Sequence, residues 1–128
     1  MLQANSALIT IPSVPAPPTF PQAPRTIFYL PEIGSKGGSF FPELRSSDTS
    51  KATIVADIAS AQHDDVRRVI EIDLAAGTSR DVSKEIAQAV LEAILMDYSR
   101  VPMWCRDFIE DHLGAGYVSR AEAWERVA

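Results

Sequence analysis

Cysteine, histidine and long apolar runs are all scarce in this chain of 128 residues. A single cysteine, Cys105, excludes a disulfide within the chain and a metal site built from cysteines. No stretch approaches the roughly 18 apolar residues of a membrane span. The first twenty residues lack the basic start of a secretory signal, and prolines interrupt any apolar core there. We therefore expect a cytoplasmic protein that has no membrane partner.

Catalytic and cofactor motifs are also missing from the sequence. It contains no Gly-x-Ser-x-Gly, no His-Glu-x-x-His and no dinucleotide-binding glycine run. Cys105 and His112 would lie on one helix but about 10.5 Å apart along its axis, too far for a thiolate–imidazolium pair. The run His63-Asp64-Asp65 lacks a second histidine four residues later, so we interpret it as a turn before a helix. The sequence predicts no enzyme, no cofactor and no metal.

Positive charge is in short supply as well. Twelve Lys and Arg residues stand against 17 Asp and Glu residues, which gives a formal net charge of -5. A nucleic-acid partner is therefore not expected, because the phosphate backbone attracts basic surfaces.

Proline is abundant, and its distribution divides the chain in two. Eight of the nine prolines lie within residues 1–46, where they oppose helix and favour extended or polyproline II geometry. Their overlapping Pro-x-x-Pro spacings resemble the ligands of proline-binding domains. Residues 47–128 contain nine basic and 15 acidic residues, whereas residues 1–46 contain three basic and two acidic residues. We predict an extended Pro-rich arm over 1–46 and an acidic helical domain over 47–128.

Large apolar side chains are concentrated in this arm, which holds four of the five phenylalanines. Burying such a side chain is worth about 1.5–3 kcal/mol, so we expect these residues to be covered. Either residues 26–30 and 39–41 fold back over the chain's own helices, or they dock on another protein or a second copy of the chain. The residues between these patches, 35–39, are typical of a turn. The predicted partner-binding residues are Phe28, Tyr29, Leu30, Phe40 and Phe41.

The remainder of the chain shows apolar spacings typical of helices. Helices are predicted over residues 51–62, from residue 64 to Gly77, from Thr78 or Ser79 to Asp97, from Pro102 to Leu113, and from Ser119 onward. Capping residues and stop glycines punctuate these segments. The predicted fold class is all-α, a small bundle of about five helices preceded by the arm.

Two further functions are compatible with this sequence. The first is an acidic inhibitor that mimics nucleic acid and occupies a basic groove on a nuclease or a DNA-binding protein. Its contact residues would be Asp107, Glu110, Asp111, Glu122 and Glu125. The second is a DNA-binding regulator, because residues 77–87 resemble the first helix of a bacterial helix-turn-helix, although no turn residue follows them.

The stretch 54–90 also resembles a loose group of short uncharacterised bacterial proteins. The likeness is clearest at Val69-Ile70-Glu71 and at Gly77-Thr78-Ser79-Arg80-Asp81-Val82. It covers under a third of the chain, and it implies a compact bacterial helical domain with no activity attached. The leading hypothesis is a non-catalytic interaction module that uses the arm to bind a partner or to self-associate.

Overall fold

The computed structural model of the protein describes residues 25–97 and 100–127, the last three of these through their backbone. Residues 1–24 of the predicted arm lie outside the described residues. The chain forms strands and helices in the order β1 (Ile27–Ser35), β2 (Gly38–Phe40), α1 (Lys51–Ala59), β3 (Val66–Asp73), β4 (Thr78–Asp81), α2 (Ser83–Asp97), α3 (Met103–Leu113) and α4 (Tyr117–Val127). A short 3-10 turn, Ser46–Asp48, precedes α1.

The four strands form one antiparallel sheet in the order β2-β1-β3-β4. A tight turn joins β1 to β2, and its Gly37 has φ 88°, a value that favours glycine. This confirms the turn predicted over residues 35–39. Strand β1 pairs with β3 along residues 27–33, with a register shift after Glu32.

The prediction of an all-α bundle of five helices is therefore wrong. Residues Val66–Asp73, predicted as part of a helix, form a strand in the middle of the sheet. The apolar spacing of Val66, Val69 and Ile70 fits a helical stripe, but valine and isoleucine are enriched in strands. Strand β1 supplies the partner that decides between these two conformations. Leu74, which would continue the helical stripe, is 65% exposed.

The long helix also begins later than predicted. Residues Thr78–Asp81 pair with β3, so helix α2 starts at Ser83, where the backbone N–H donates to Asp81 Oδ1 at 2.8 Å. The run that resembles a helix-turn-helix thus spans a strand and the first turn of a helix. Helices α1 and α3 lie close to their predicted ranges, with the Ser50 side chain capping α1 and Gly114 ending α3.

Pro31 occupies a strand position that tolerates the missing N–H group. The backbone N–H of Tyr29 donates to the Thr49 carbonyl at 2.8 Å, which means that odd-numbered residues of β1 direct this group away from β3. Strand β2 reaches only as far as Ile33, so β1 has no strand neighbour on that side at Pro31.

The helices cover one face of the sheet and form the core with it. Tyr29 and Ile33 of β1 pack against this core, so part of the predicted arm is covered by the chain's own helices. In the described part of the chain, no helix is long and apolar enough to cross a membrane. The fully buried members of the core include Ile54, Ile58, Val69, Ile86, Val90, Ile94, Cys105, Ile109 and Val118.

Replacing Ser83 by alanine tests the junction between sheet and helices. The Ser83 hydroxyl accepts a hydrogen bond of 2.8 Å from the buried Val69 N–H. Ser83→Ala leaves that group without a partner, and we expect a loss of about 1–3 kcal/mol in the free energy of unfolding. Chemical denaturation measures the change, and Ser79→Ala, an exposed serine on β4, is the control. Equal effects of the two substitutions would contradict this role for Ser83.

Candidate functional site

One face of the sheet is left uncovered by the helices. Because side chains alternate along a strand, Tyr29, Pro31 and Ile33 point toward the helices, and the residues between them point the opposite way. The register sets Phe28 opposite Ile72 and Leu30 opposite Ile70. We call these four residues, Phe28, Leu30, Ile70 and Ile72, the open face.

The four side chains of the open face are all partly exposed, and none packs against the hydrophobic core. They form two adjacent cross-strand pairs in the two central strands of the sheet. Such pairs stabilise the sheet itself, yet their outer surfaces still contact water. The open face is thus a contiguous apolar patch that the rest of the described chain does not cover.

Charged groups border the open face at both ends. Glu32 forms an ion pair with Arg68 and accepts a hydrogen bond from the Ser39 hydroxyl. The Ser39 hydrogen bond, followed by the Arg68 contact, lowers the pKa of Glu32. At the other end the Arg25 guanidinium lies over the Phe28 ring, 5.1 Å from its centroid.

The five predicted arm residues are divided among three locations. Phe28 and Leu30 lie on the open face, whereas Phe40 and Phe41 are about half exposed, at 49% and 48%, in and just after the edge strand β2. Tyr29 points to the helix side, where its hydroxyl donates to Glu71 Oε2 at 2.9 Å. Burial, followed by the contact with Glu71, raises the pKa of Tyr29. Tyr29 therefore lies on the helix side of the sheet, where it stabilises the fold, and does not belong to the open face.

Sequence reasoning missed the β3 half of the open face, Ile70 and Ile72. Both residues lie in a segment for which the sequence predicts a helix, and a helix could not pair them with β1. The signal that could have found them is the β-branched composition of Val66–Asp73 together with the apolar run at residues 27–30.

The acidic candidates are also separated by the structure. Asp107 and Asp111 are exposed on α3, whereas the Glu110 carboxylate lies 3.8 Å from Arg106 Nε. Glu122 is only 5% exposed and therefore does not present its carboxylate to a partner. Glu125 lies on α4, and its side chain is outside the described residues.

Glu122 instead joins the middle of α4 to the start of α3 and to Val101, just before it. Its Oε2 atom accepts a hydrogen bond of 2.6 Å from the Val101 N–H and one of 3.3 Å from Arg106 Nη1. Burial by itself raises the pKa of this carboxyl, but the hydrogen bonds from Val101 and Arg106 outweigh it and leave the pKa lowered.

The residues considered for catalysis occupy structural positions. Cys105 is fully buried, and burial raises its pKa to about 11, so the thiolate is not formed at neutral pH. His112 Nε2 donates to the Arg67 carbonyl at 2.8 Å, and its ring packs edge-on against Phe108. Among the described residues, no group of three His, Cys, Asp or Glu side chains is placed to hold a metal ion.

Comparison with known proteins identifies no relative of this chain. No family model matches the chain, and neither a search of curated proteins nor a search of solved structures found a match.

The Glu122 contacts predict a specific response to acid. Because the pKa of the folded carboxyl is lowered, its contribution to stability is complete above the ordinary value for glutamate and is lost as the pH falls through the folded value. We expect Glu122→Gln to cost about 1–3 kcal/mol at neutral pH, since the Arg106 and Val101 groups lose an ionised acceptor. Below pH about 4 the difference from wild type should narrow.

Denaturation curves measured between neutral pH and acid check this expectation. Asp107→Asn, an exposed acid on the same helix as Arg106, is the matched control and should follow the wild type throughout. A Glu122→Gln variant whose deficit stays constant down to the acid end would contradict the ionic role of Glu122.

Proposed function

We propose that this protein is a non-catalytic interaction module that self-associates through the open face. One observation carries the proposal: Phe28, Leu30, Ile70 and Ile72 form a contiguous apolar patch on the side of the sheet away from the helices. Antiparallel sheets with one solvated face ordinarily carry polar side chains there. Four large apolar side chains in this position are better explained by a partner that removes them from water.

The partner we propose is a second copy of the chain. Two sheets that pack face to face lie about 10 Å apart and interdigitate their apolar side chains. Two-fold dimers are the commonest oligomers, and their interfaces require a surface that is complementary to itself.

The charges around the open face support such self-complementarity. Arg25, just before β1, lies at the Phe28 end of the open face, whereas Glu32, paired with Arg68, lies at the other end of the open face. A two-fold axis that reverses strand direction between the copies sets the Arg25 of one copy near the Glu32 of the other. Attraction between Arg25 of one copy and Glu32 of the other, at both ends, then adds to burial of the apolar centre.

The acidic alternative has less support than the open face. Glu110 and Glu122 already contact Arg106, which leaves Asp107 and Asp111 as exposed members of the predicted set among the described side chains. Two solvated carboxylates on a helix are common on any surface and do not require a basic partner.

Size-exclusion chromatography with light scattering tests the proposal. We expect the wild-type chain to change from monomer to dimer as its concentration rises, and Leu30→Thr combined with Ile72→Thr to remain monomeric. Threonine keeps the strand preference of both positions while making the open face polar. Far-UV circular dichroism checks that the sheet is retained.

Met96→Gln is the matched control, because Met96 is 86% exposed on helix α2 and does not belong to the open face. It should dimerise as the wild type does. The salt dependence of dimerisation distinguishes two kinds of interface. Added salt weakens an interface made by the acidic residues, whereas an apolar interface tolerates it. A wild-type chain that stays monomeric at every concentration overturns the proposal.

A further inference from the structure

A groove runs between helices α2 and α4, away from the open face residues. Its volume is about 400 Å³. Leu91 and Leu95 form the α2 wall, and Tyr117, Ala121 and Trp124 form the α4 wall. The three α4 residues are spaced at i, i+4 and i+7, which places them on one side of that helix.

The α4 wall of the groove carries two aromatic side chains, Tyr117 and Trp124, and the ring of Trp124 is largely exposed. The exposed fraction of Trp124 is 72%, and Gln88, Glu92 and Arg120 complete the lining of the groove. The Tyr117 hydroxyl donates to Gln88 Oε1 at 3.3 Å, which ties the two helices together at one end of the groove. Arg120 lies over the Tyr117 ring, 5.8 Å from its centroid. Aromatic-lined grooves of this kind are the sites at which proline-rich segments dock.

The sequence of this chain contains a segment with matching chemistry. Residues 1–24 carry no Asp, Glu, Lys or Arg, so they place no like charge against the Glu92 and Arg120 side chains that line the groove. Within them, prolines recur at every third position, namely Pro12, Pro15, Pro18, Pro21 and Pro24. A polyproline II helix has three residues per turn, so this spacing would align all five rings along one edge, about 9.3 Å apart.

We propose that the groove between α2 and α4 binds residues 12–24 of the same chain through this proline edge. Proline rings stack on tryptophan and tyrosine faces, and a polyproline II segment loses little conformational entropy on docking. The docked segment covers the exposed ring of Trp124. Pro17, which lies between two edge positions, points away from the groove.

The point at which the segment joins the fold is compatible with docking in the same chain. Arg25 Nη2 donates to Thr49 Oγ1 at 2.8 Å, just before helix α1. Lys51, at the start of α1, contacts Glu85 at 2.8 Å. Gln88 lines the groove and also lines the adjoining cavity together with Glu85.

Distances along these elements are short compared with the segment. Glu85 and Gln88 lie one turn apart on α2, a rise of about 5 Å. Thirteen residues of polyproline II span about 40 Å at 3.1 Å per residue. The rise along α2 from Glu85 to Leu95 is about 15 Å, so the segment exceeds it by about 25 Å, which is available for the path from Arg25 to Glu85.

Fluorescence of Trp124 in the full-length chain tests the proposal. Trp104→Phe leaves Trp124 as the sole tryptophan of the chain. We expect Pro18→Ala, and more strongly the triple replacement of Pro15, Pro18 and Pro21 by alanine, to shift the Trp124 emission to the red. The acrylamide quenching constant should rise about twofold, because the ring loses the cover that excludes water.

Pro17→Ala is the matched control, since it removes a neighbouring proline that is not on the edge. Its emission and quenching should equal those of the parent. If Trp104→Phe disturbs the fold, the indole N–H signal of Trp124 in a ¹⁵N spectrum of the otherwise wild-type chain replaces fluorescence, with Trp124→Phe to assign it. Equal effects of Pro17→Ala and Pro18→Ala, or no effect of the triple replacement, overturn the proposal.

Two further measurements separate this proposal from its competitors. Protection of Trp124 should be independent of protein concentration, and protection that disappears on dilution would assign the segment to a neighbouring copy and overturn docking in the same chain. Leu30→Thr with Ile72→Thr should leave the Trp124 signal unchanged, because those residues do not line the groove. The proposal for the groove and the proposal for the open face are therefore tested independently of each other.

Discussion

The antiparallel pairing of β1 with β3 holds the fold together. It joins residues 27–33 to a strand that begins more than thirty positions later, at Val66. Closing that loop costs entropy, which the buried contacts of Val69 and Pro31 beneath the pairing offset. Without β1, the strand β3 would have β4 as its one partner in the described chain, and an isolated two-stranded hairpin is only marginally stable.

The same pairing creates the two faces of the sheet and sets their chemistry. A strand that alternates Phe28, Leu30 and Glu32 with Tyr29, Pro31 and Ile33 must present one set to the helices and the other to solvent. The helix side is completed by hydrogen bonds such as that between Tyr29 and Glu71. The opposite side keeps its apolar centre with charged groups at the ends, which is the arrangement of an interface core surrounded by a polar rim.

On the helical side, a single buried carboxylate organises the end of the chain. Glu122 binds the Val101 N–H and the Arg106 guanidinium, so α4 is anchored to the segment that leads into α3. This anchoring turns Tyr117 and Trp124 toward α2 and forms the groove. The sequence suggests that Glu122 is a surface acid, but in the structure it links two helices internally. Burial keeps it from contacting a partner, and its hydrogen bonds keep the carboxylate ionised.

Local elements whose signals lie within a few residues can be predicted from the amino-acid sequence. A cap for α1 at Asp48 or Ser50, the glycine turn after β1 and the stop at Gly114 needed no distant partner to be predicted, and the structure places the cap at Ser50. Tertiary structure alone decided that Val66–Asp73 is a strand, because its apolar residues satisfy both helical and strand periods until β1 lies beside it. The open face followed from that decision, since Phe28 and Ile72 become neighbours only through a pairing that spans more than forty residues.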